Sequence, residues 1–571
     1  MTVENLITEH LDIWTSAIKT KSAAGRGSSK KLKLVGIKKL RQLILELAVR
    51  GKLVPQDPND EPASELIKKI KEEKTRLVNM GSIKKQKKAV AHDATITANN
   101  LPQGWVAIDF GDITFNRDAE RIPLSVSERQ SIKGPYDYYG ASGVIDSINK
   151  FVFEKSLLLI GEDGANLVNR STPIAFIAHG KYWVNNHAHV IDGIDEEFLT
   201  YLALYINSIS LLPYITGMAQ PKMNQAKMNG ILVLLPPEYE QKRIVAKVEE
   251  LMALCDQLEA QTEASINAHK TLVEVLLATL TDAKDADELN ENWQTISQHF
   301  DALFTTQAAI SQLKQTILQI AVMGKLVKQD PKDEPASKLL ERIATEKQQL
   351  IKDGKIKKQK PFINFDGLDD LKKPLPESWE WIKLADTADL VRGGSPRPAG
   401  DPRFYGGEIP FLKVGDVTRK MSKFVEGFNS TIKEAGLHKT RMIQVRTVLL
   451  SNSGATLGIP AICDFTATFN DGIAAFVEQS KYVFDEYLYL YLSTLSKWFL
   501  DIASQGQGQP NLNTDIIKTT WFALPPLPEQ HRIVTKVDEL MALCDSLKAR
   551  LNQAQTTQLH LTDAIVEQAL N

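Results

Sequence analysis

The sequence predicts an α+β protein made by internal duplication, with pseudo-twofold symmetry. Two mixed α/β domains are expected, separated by long antiparallel coiled-coil helices. Three observations lead to this prediction: segments of mixed composition occur twice, each copy ends in an apolar stripe at helical spacing, and two unlike stretches rich in short β-like runs lie between the matched segments. The chain has 571 residues, of which 43% are hydrophobic and 24% charged, values typical of several globular domains.

The duplication is read directly from matched segments. AVRGKLVPQDPNDEPASEL at residues 48–66 returns as AVMGKLVKQDPKDEPASKL at 321–339, 273 positions later. LPPEYEQKRIVAKVEELMALCDQL at 235–258 returns as LPPLPEQHRIVTKVDELMALCDSL at 524–547, 289 positions later. Two similar frames therefore hold two different inserts. We place the regions at 1–100 (N-terminal helical), 101–237 (first insert), 238–374 (central helical), 375–526 (second insert) and 527–571 (C-terminal helix).

The end of each frame predicts a long helix. Apolar residues at a 4-3-4-3 spacing share one helix face. They are Ile244, Val248, Leu251, Cys255 and Leu258 in the first copy and Ile533, Val537, Leu540, Cys544 and Leu547 in the second. The same register extends to Leu272, Leu276 and Leu280 in the first copy, and to Leu551, Ala554, Leu561 and Ile565 in the second. Such a narrow stripe needs a partner helix, and a twofold axis would make the other copy an antiparallel partner. About 40 residues would span roughly 60 Å.

Motifs for catalysis, metal binding and export are missing. The sequence has no GxxxxGK[ST] loop, GxGxxG fingerprint, HExxH, CxxC or [ND]PP[YF]. The three cysteines lack zinc spacing, no apolar run approaches the ~18 residues of a membrane span, and the first residues do not form a signal peptide. The formal charge of -2 does not suit a polycation that coats nucleic acid. We expect a cytoplasmic, non-enzymatic chain with no membrane partner.

One polar cluster remains open to interpretation. GEDG at 161–164 and KYWVNNHAHV at 181–190 contain Glu162, Asp163, His187 and His189, which could be imagined as a metal site. No third ligand spacing supports that reading, and the second insert lacks the cluster. Buried hydrogen-bonded residues of a sheet, or exposed residues that read a ligand, are the alternatives. We predict no metal.

The repeated motifs carry a resemblance. A duplicated frame with GKLVxQDPxDEPAS, IKKQK and LPPxxEQxRIVxKVxELMALCDxL, holding two unlike inserts, resembles the specificity subunit of type I restriction–modification systems. The resemblance covers essentially the whole chain, and the double occurrence of the QxRIVxKVxELMxLCDxL helix is its most specific part.

This resemblance implies a function and partners. Each insert would be a target recognition domain that reads half of a split sequence in double-stranded DNA. The repeated helices would form the coiled-coil spacer and dock two DNA methyltransferase subunits, which restriction translocase subunits then join. The family implies no catalytic residues or cofactor in this chain; S-adenosylmethionine, ATP and Mg would belong to the partner subunits. Two readers about one helical turn (~34 Å) apart would contact an asymmetric, bipartite target.

Loop residues that can donate or accept at base edges are the candidates for DNA contact. The motifs that resemble the family place them, in the first insert, at Tyr139, Ser142, Glu162, Asp163, Lys181, Asn185, Asn186, His187, Gln220, Lys222 and Asn224. In the second insert they are Arg392, Ser395, Arg397, Lys413, Asp416, Ser451, Ser453, Asn470, Asp471, Gln507, Gln509 and Asn511. Alternatively, the glycines of these motifs serve only turn geometry, and Trp183 belongs to the core rather than to a stacking surface.

The inserts are slightly acidic, which is unusual for a DNA reader. Lys plus Arg number 10 against 14 Asp plus Glu in residues 101–237, and 15 against 16 in residues 375–526. Residues 67–88 instead carry nine basic and two acidic residues, as either a solvated helix face or a phosphate-facing patch. Phosphate neutralisation would then come from local clusters, from these helix ends or from the methyltransferase.

Two other classes of protein remain as alternatives. A non-enzymatic coiled-coil scaffold that displays two protein- or glycan-binding domains would explain the duplication and the low charge. A degenerate methyltransferase or nuclease would need a cofactor motif that the sequence lacks.

Overall fold

The computed structural model describes residues 8–20, 32–84, 101–217, 220–358, 368–504 and 511–570. The chain forms two compact units. Unit 1 comprises Met1–Ser265 and Ala554–Asn571, and unit 2 comprises Ile266–Gln553. Each unit therefore contains one insert and parts of both long helices.

The helices that begin in unit 1 are α1 (Leu11–Ser16), α2 (Val35–Val49), α3 (Ala63–Asn79), α4 (Val126–Ser131), α5 (Asn166–Asn169), α6 (Glu196–Ser208), α7 (Gln225–Asn229) and α8 (Glu238–Asp282). Its strands are β1 (Ile18–Thr20), β2 (Leu32–Leu34), β3 (Val106–Asp109), β4 (Phe115–Asn116), β5 (Lys133–Gly140), β6 (Gly143–Ile148), β7 (Leu157–Gly161), β8 (Ala175–Ala178), β9 (Tyr182–Val184), β10 (Ala188–Asp192) and β11 (Leu232–Leu235).

The helices that begin in unit 2 are α9 (Ala286–Gln298), α10 (Phe300–Leu303), α11 (Gln307–Val322), α12 (Ala336–Lys352), α13 (Leu384–Thr387), α14 (Val414–Thr418), α15 (Asp485–Ala503), α16 (Thr514–Thr519) and α17 (Leu527–Leu570). Its strands are β12 (Glu380–Lys383), β13 (Asp389–Arg392), β14 (Tyr405–Leu412), β15 (Thr431–Ile432), β16 (Arg441–Ile443), β17 (Thr447–Ser451), β18 (Pro460–Cys463), β19 (Ala467–Phe469), β20 (Ile473–Val477) and β21 (Trp521–Leu524).

The two inserts share a sheet plan although their sequences differ. Each contains a four-stranded antiparallel sheet, ordered β4-β10-β7-β8 in unit 1 and β13-β20-β17-β18 in unit 2. Each also contains a second sheet with one parallel pair, β5 with β9 and β14 with β19. The inner strands β7 and β17 are buried along their whole length, as continuous apolar runs predict. A two-stranded sheet joins the start and end of each insert, β3 with β11 and β12 with β21.

Contacts inside the inserts, and contacts between frame and insert, repeat from unit to unit. Tyr201 on α6 donates its hydroxyl to the carbonyl of Leu234 at 2.7 Å, and Tyr487 on α15 donates to Ala523 at 3.1 Å. The ammonium of Lys74 donates to the carbonyl of Gly111 in unit 1. The counterpart of Lys74 in unit 2 is Lys347, which donates to Ala385 at 2.8 Å. The frame therefore supports both inserts through the same contacts.

The long helices confirm the predicted stripe and identify its partners. Ile244, Val248, Leu251 and Cys255 are buried in the core of unit 1, and Leu258 is half-buried beside them. Ile565 of α17 belongs to the same core. In unit 2 the buried set is Ile533, Val537, Leu540, Cys544 and Leu547, together with Val273, Leu277 and Leu280 of α8. The early part of each long helix thus shares a core with the late part of the other, the order of an antiparallel pair.

The frame helices α2 and α11 also pack on the long helices, which the sequence prediction did not include. Arg41 on α2 donates to Asp256 at 2.6 Å and to Glu259 at 2.9 Å. Lys314 on α11 pairs with Asp545 at 2.5 Å. The repeated stripe is therefore covered by helices of its own frame as well as by the other long helix.

The extension of the stripe was partly wrong. Leu272 is 49% exposed and Leu561 42% exposed, whereas Val273 and Thr562 are buried. Ala554 is also exposed. Moving one residue along a helix turns the side chain by about 100°, so the buried face shifts where the packing partners change.

Candidate nucleic-acid interface

Loops from distant parts of the first insert converge at one end of its four-stranded sheet. We call this region loop junction 1; it comprises residues 117–121 after β4, 161–165 after β7, 185–187 before β10 and 220–224 before α7. The backbone N–H of Glu162 donates to the carbonyl of His187 at 2.8 Å, and the N–H of Met223 donates to the carbonyl of Glu162 at 2.8 Å. Asp163 and Lys222 form a β-bridge. Glu162 thus connects three of the four loops through its backbone.

Side chains of loop junction 1 form a charged network around Glu162. Its carboxylate pairs with Arg121 at 2.9 Å and with Lys222 at 3.2 Å. Arg121 is mostly buried and also donates to the carbonyl of Ala188 at 2.6 Å. His187 is exposed, and its Nδ1 lies 2.9 Å from the carboxylate of Asp163. Cations and anions are balanced here at short range.

His189 is enclosed beneath this network. Its Nδ1 lies 2.7 Å from Asp118 and its Nε2 lies 2.9 Å from the carbonyl of Met223. Burial disfavours the charged imidazolium, but the hydrogen bond and charge of Asp118 outweigh it and raise the pKa of His189. The raised pKa favours a cationic His189 side chain that links two loops. His189 is thus a buried, hydrogen-bonded residue of the sheet, one of the two alternatives to a metal site.

Loop junction 2, the counterpart in unit 2, comprises residues 392–397 after β13, 451–454 after β17, 470–472 before β20 and 511–513 before α16. The N–H of Asn452 donates to the carbonyl of Gly472 at 2.9 Å, and the N–H of Leu512 donates to the carbonyl of Asn452 at 2.7 Å. Ser453 and Asn511 form the bridge. Backbone connections therefore match those of loop junction 1, although the side chains do not.

Asp471 organises the side chains of loop junction 2. Its carboxylate accepts from the hydroxyl of Ser395 at 2.6 Å and lies 3.7 Å from the guanidinium of Arg397. Arg392 donates to its carbonyl at 2.6 Å. The hydrogen bond from Ser395, followed by the nearby arginines, lowers the pKa of Asp471. Asp471 therefore stays ionised beneath two exposed arginines.

Two asparagines of loop junction 2 have buried side-chain atoms without hydrogen-bond partners among the described residues. Asn452 is 0% exposed, and among the described residues neither its amide oxygen nor its amide nitrogen has a partner. The side-chain oxygen of Asn470 is likewise unpaired within that part of the chain. Unpaired buried amides cost roughly 1–3 kcal/mol each, so they are costly to retain for stability alone.

The structure brings most of the predicted DNA-contact residues to these junctions. Exposed members are Asn186, His187, Gln220, Lys222, Asn224, Arg392, Arg397 and Asn511. Partly covered members are Glu162, Asp163, Ser395, Ser453, Asn470 and Asp471. Ser142 is exposed in the β5–β6 turn, where the carbonyl of Ala141 would lie 2.8 Å from a Cβ placed on Gly161. Lys413 is exposed at the start of α14, whose Val414 lies against Gly472.

Other predicted residues have internal roles. Ser451 is buried, and its hydroxyl bonds to Thr456 and Ile459 close the turn after β17. Asn185 is 5% exposed and accepts from the N–H of His187. These polar groups are used inside the insert, and their contact with DNA stays a prediction.

Three further candidates either make internal contacts or lie away from the loop junctions. Asp416 has a nearly buried carboxylate that accepts from the N–H of Lys413 and from Asn429. Tyr139 of β5 stacks on Phe176 of β8, which belongs to the other sheet of the insert. Lys181 is exposed, but it precedes β9 while loop junction 1 follows that strand. Gln507 and Gln509 lie outside the described residues.

Sequence reasoning missed Asp118, Arg121 and Asn452 as members of these junctions. Asp118 and Arg121 follow the two-residue strand β4, which has no sequence signature of its own. Asn452 stands between Ser451 and Ser453, which the sequence analysis had indicated, so its neighbours were a usable signal.

Trp183 has a packing role, and the described lysines of the basic helix end form surface ion pairs. Trp183 is 8% exposed and belongs to a small apolar core, as the alternative reading had it. Lys68 pairs with Glu65 and Lys69 with Glu61 on the surface of α3. Residues 85–88 of the basic run lie outside the described part of the chain.

Across the described ranges, no group of three or more His, Cys, Asp or Glu side chains could hold a metal ion. No helix within those same ranges is long and apolar enough to cross a membrane.

One frame used twice, with unlike loop junctions, defines a protein with two related but non-identical binding domains. The sequence profile described as "Type I restriction modification DNA specificity domain" matches residues 102–268 and 376–556. The chain is 40% identical to the type I restriction enzyme EcoEI specificity subunit of Escherichia coli and 37% identical to the EcoAI specificity subunit, with 100% of both chains covered in each comparison. The chain belongs to the family of specificity subunits of type I restriction–modification systems.

The solved structures that resemble this chain are more distant. The HsdS subunit from Thermoanaerobacter tengcongensis has 17% sequence identity and a TM-score of 0.40, and the comparison covers 83% of this chain and 98% of that one.

Proposed function

We propose that this chain is the non-catalytic specificity subunit of a cytoplasmic type I restriction–modification complex. Each insert reads one half of a bipartite, asymmetric sequence in double-stranded DNA. The observation that supports this proposal is the pair of loop junctions, which share their backbone bonds but differ in most side chains, such as Glu162 against Asn452 and Lys222 against Asn511. Two similar frames that carry inserts with different loop side chains suit a DNA target whose two halves differ in sequence.

The repeated frame supports docking of two identical partners. Arg243 on α8 pairs with Asp60 at 2.6 Å, and Arg532 on α17 pairs with Asp333 at 2.7 Å, so the same loop is fixed to the same helix turn in both units. We propose that two methyltransferase subunits bind these repeated frame surfaces and that restriction subunits join through them. S-adenosylmethionine, ATP and Mg would then be bound by those partners.

Asp and Glu outnumber Lys and Arg in both inserts, so part of the affinity for DNA must come from outside the inserts. Loop junction 1 contains nearly balanced charges, and loop junction 2 exposes two arginines above Asp471. Acidic residues outnumber basic ones in both inserts, whereas phosphate contacts supply most non-specific affinity. We propose that the methyltransferase partners provide much of the phosphate contact, while the inserts provide base selection.

The proposal is tested by expressing the chain with its methyltransferase in a host without modification and mapping the methylated positions. We expect methylation within one bipartite asymmetric sequence. Exchange of residues 101–237 for the corresponding insert of a relative should change one half of that sequence and leave the other unchanged. A change in both halves, or in neither, would contradict the assignment of one half to each insert.

A further inference from the structure

The two loop junctions exchange a carboxylate and an amide between equivalent positions. In unit 1, Ala188 on β10 pairs with Gly161 on β7, and in unit 2, Ile473 on β20 pairs with Ser451 on β17. The next residue after the paired inner strand is Glu162 in unit 1 and Asn452 in unit 2.

The second position of each pair follows from the same register. Two residues before the paired residue of β10 or β20 stand Asn186 in unit 1 and Asp471 in unit 2. At these two equivalent positions each junction has one acidic residue and one asparagine, in opposite places.

In both units the carboxylate holds the loop that follows the first strand of the sheet. Glu162 pairs with Arg121 from the loop after β4. Asp471 accepts from Ser395 and lies near Arg397, both from the loop after β13. The anchored loop is therefore the same, although the anchor comes from a different neighbouring loop.

The exchange changes which cations face outward. In unit 1 the anchored Arg121 is only 14% exposed, and Lys222, which is 53% exposed, is the outward cation on Glu162. In unit 2 the guanidinium of Arg397 is 71% exposed above Asp471. A compact ammonium and a planar guanidinium present their donors in different geometries, so they suit different arrangements of acceptors at base edges.

We propose that Glu162 and Asp471 are positioning residues that set the base preference of their own insert. Each orients the cation-bearing loop of its junction, and the opposite placement of carboxylate and amide makes the two inserts select different bases. The inference rests on the proposed function and adds the residues that determine specificity.

The test uses the complete complex with its methyltransferase in a host without modification. Glu162→Gln and Asp471→Asn each remove one negative charge while preserving shape. Sequencing of methylated sites then measures the preference at every base of both half-sites. Asp137→Asn in unit 1 and Glu434→Gln in unit 2 are matched controls, because these exposed acidic residues lie on the same inserts outside the junctions.

Each junction variant should lower base discrimination about fivefold or more at one or two positions, the lower range of what one base contact supplies. The two variants should affect different halves, and the controls neither. The double variant Glu162→Asn with Asn186→Asp, which places the carboxylate as in unit 2, should recover sharp discrimination in that half. Recovery separates positioning from a general loss of folding, which thermal unfolding of each complex monitors.

The inference is overturned if both single variants methylate the wild-type sequence with unchanged discrimination, or if either affects the other variant's half. It is also overturned if the single variants lose discrimination only in proportion to lost folding and the double variant does not recover it. If the wild-type complex methylates no bipartite sequence, the proposed function itself is wrong. That outcome is seen in the wild-type complex alone, so it cannot be confused with an effect of the substitutions.

Discussion

The indole N–H of Trp105 donates a 3.0 Å hydrogen bond to the carboxylate of Glu240. Trp105 stands at the start of the first insert, and Glu240 lies in the first turn of α8 with only 1% of its surface exposed. In unit 2 the corresponding carboxylate of Glu529 is also 1% exposed and accepts from Gln329 at 2.6 Å. A buried carboxyl thus lies where each long helix leaves its insert.

The stability of unit 2 should depend on the protonation of Glu529. Burial raises the pKa of Glu529 from 4.5 to about 7. A carboxyl with a raised folded-state pKa contributes its stability below the unfolded value and loses it as the pH rises through the folded value. The contribution, roughly 3 kcal/mol, is therefore lost between pH 4.5 and about 7.

Urea unfolding of wild type and Glu529→Gln at pH 5 and at pH 7.5 measures this contribution. As the pH rises, the free energy of unfolding of wild type should fall relative to that of Glu529→Gln, because the glutamine does not titrate. Glu341→Gln, at an exposed position of α12, serves as control and should follow wild type. A constant difference between wild type and the Glu529 variant across the range would contradict the prediction.

Leu251→Ala should destabilise unit 1 far more than Leu254→Ala on the same helix. Leu251 is 1% exposed in the core, and Leu254 is 46% exposed. Truncation of a buried leucine costs about 2–5 kcal/mol, whereas exposed substitutions stay within about 0.5 kcal/mol. Chemical denaturation measures both, and equal losses would show that the stripe is not the packed face.

Gly51→Ala should cost more stability than Gly81→Ala. Both glycines have left-handed backbone angles, with φ of +67° and +72°. A Cβ at Gly51 would also lie 2.7 Å from Pro102 and 3.0 Å from Trp105, whereas one at Gly81 would meet nothing within 4 Å. The backbone alone costs about 1–2 kcal/mol, and Gly51→Ala adds a clash with the start of the insert. Similar unfolding free energies for the two variants would disprove that added cost.

DNA binding by the lone chain should be weak and nearly independent of sequence. At about 0.15 M salt we expect dissociation constants in the micromolar range or weaker, as for non-specific binding. Addition of the methyltransferase should tighten binding to the mapped target by about 100-fold or more, because partner cations then neutralise phosphates. Gel shifts with target and scrambled duplexes measure both. Tight, selective binding by the chain alone would refute this division of roles.

Much of the frame was predictable because helical periodicity and repetition act locally. The burial of Ile244, Val248 and Leu251 follows from their spacing. The shift at Leu272 does not, because the buried face there depends on which helices pack against α8 in unit 2. Local sequence patterns predict that a helix forms. Which residues face its packing partners in the later part of the helix depends on the folded core.

The loop junctions were predictable only in outline. Motif resemblance indicated Glu162, Lys222 and Asp471, but nothing in their sequence separation shows that Arg121 reaches Glu162 across 41 residues. The sheet order brings these loops together, and that order emerges from tertiary packing of buried strands such as β7. The exchange of acid and amide likewise becomes visible only through strand register.

The backbone of residues 162 and 452 holds neighbouring loops with its N–H and its carbonyl alone. Every amino acid except proline has both groups. Mutation can therefore alter the side chain at this position while the chain keeps its path. Under the proposal above, one replacement at either position would change the sequence that an insert selects and leave the backbone connections of the junction in place.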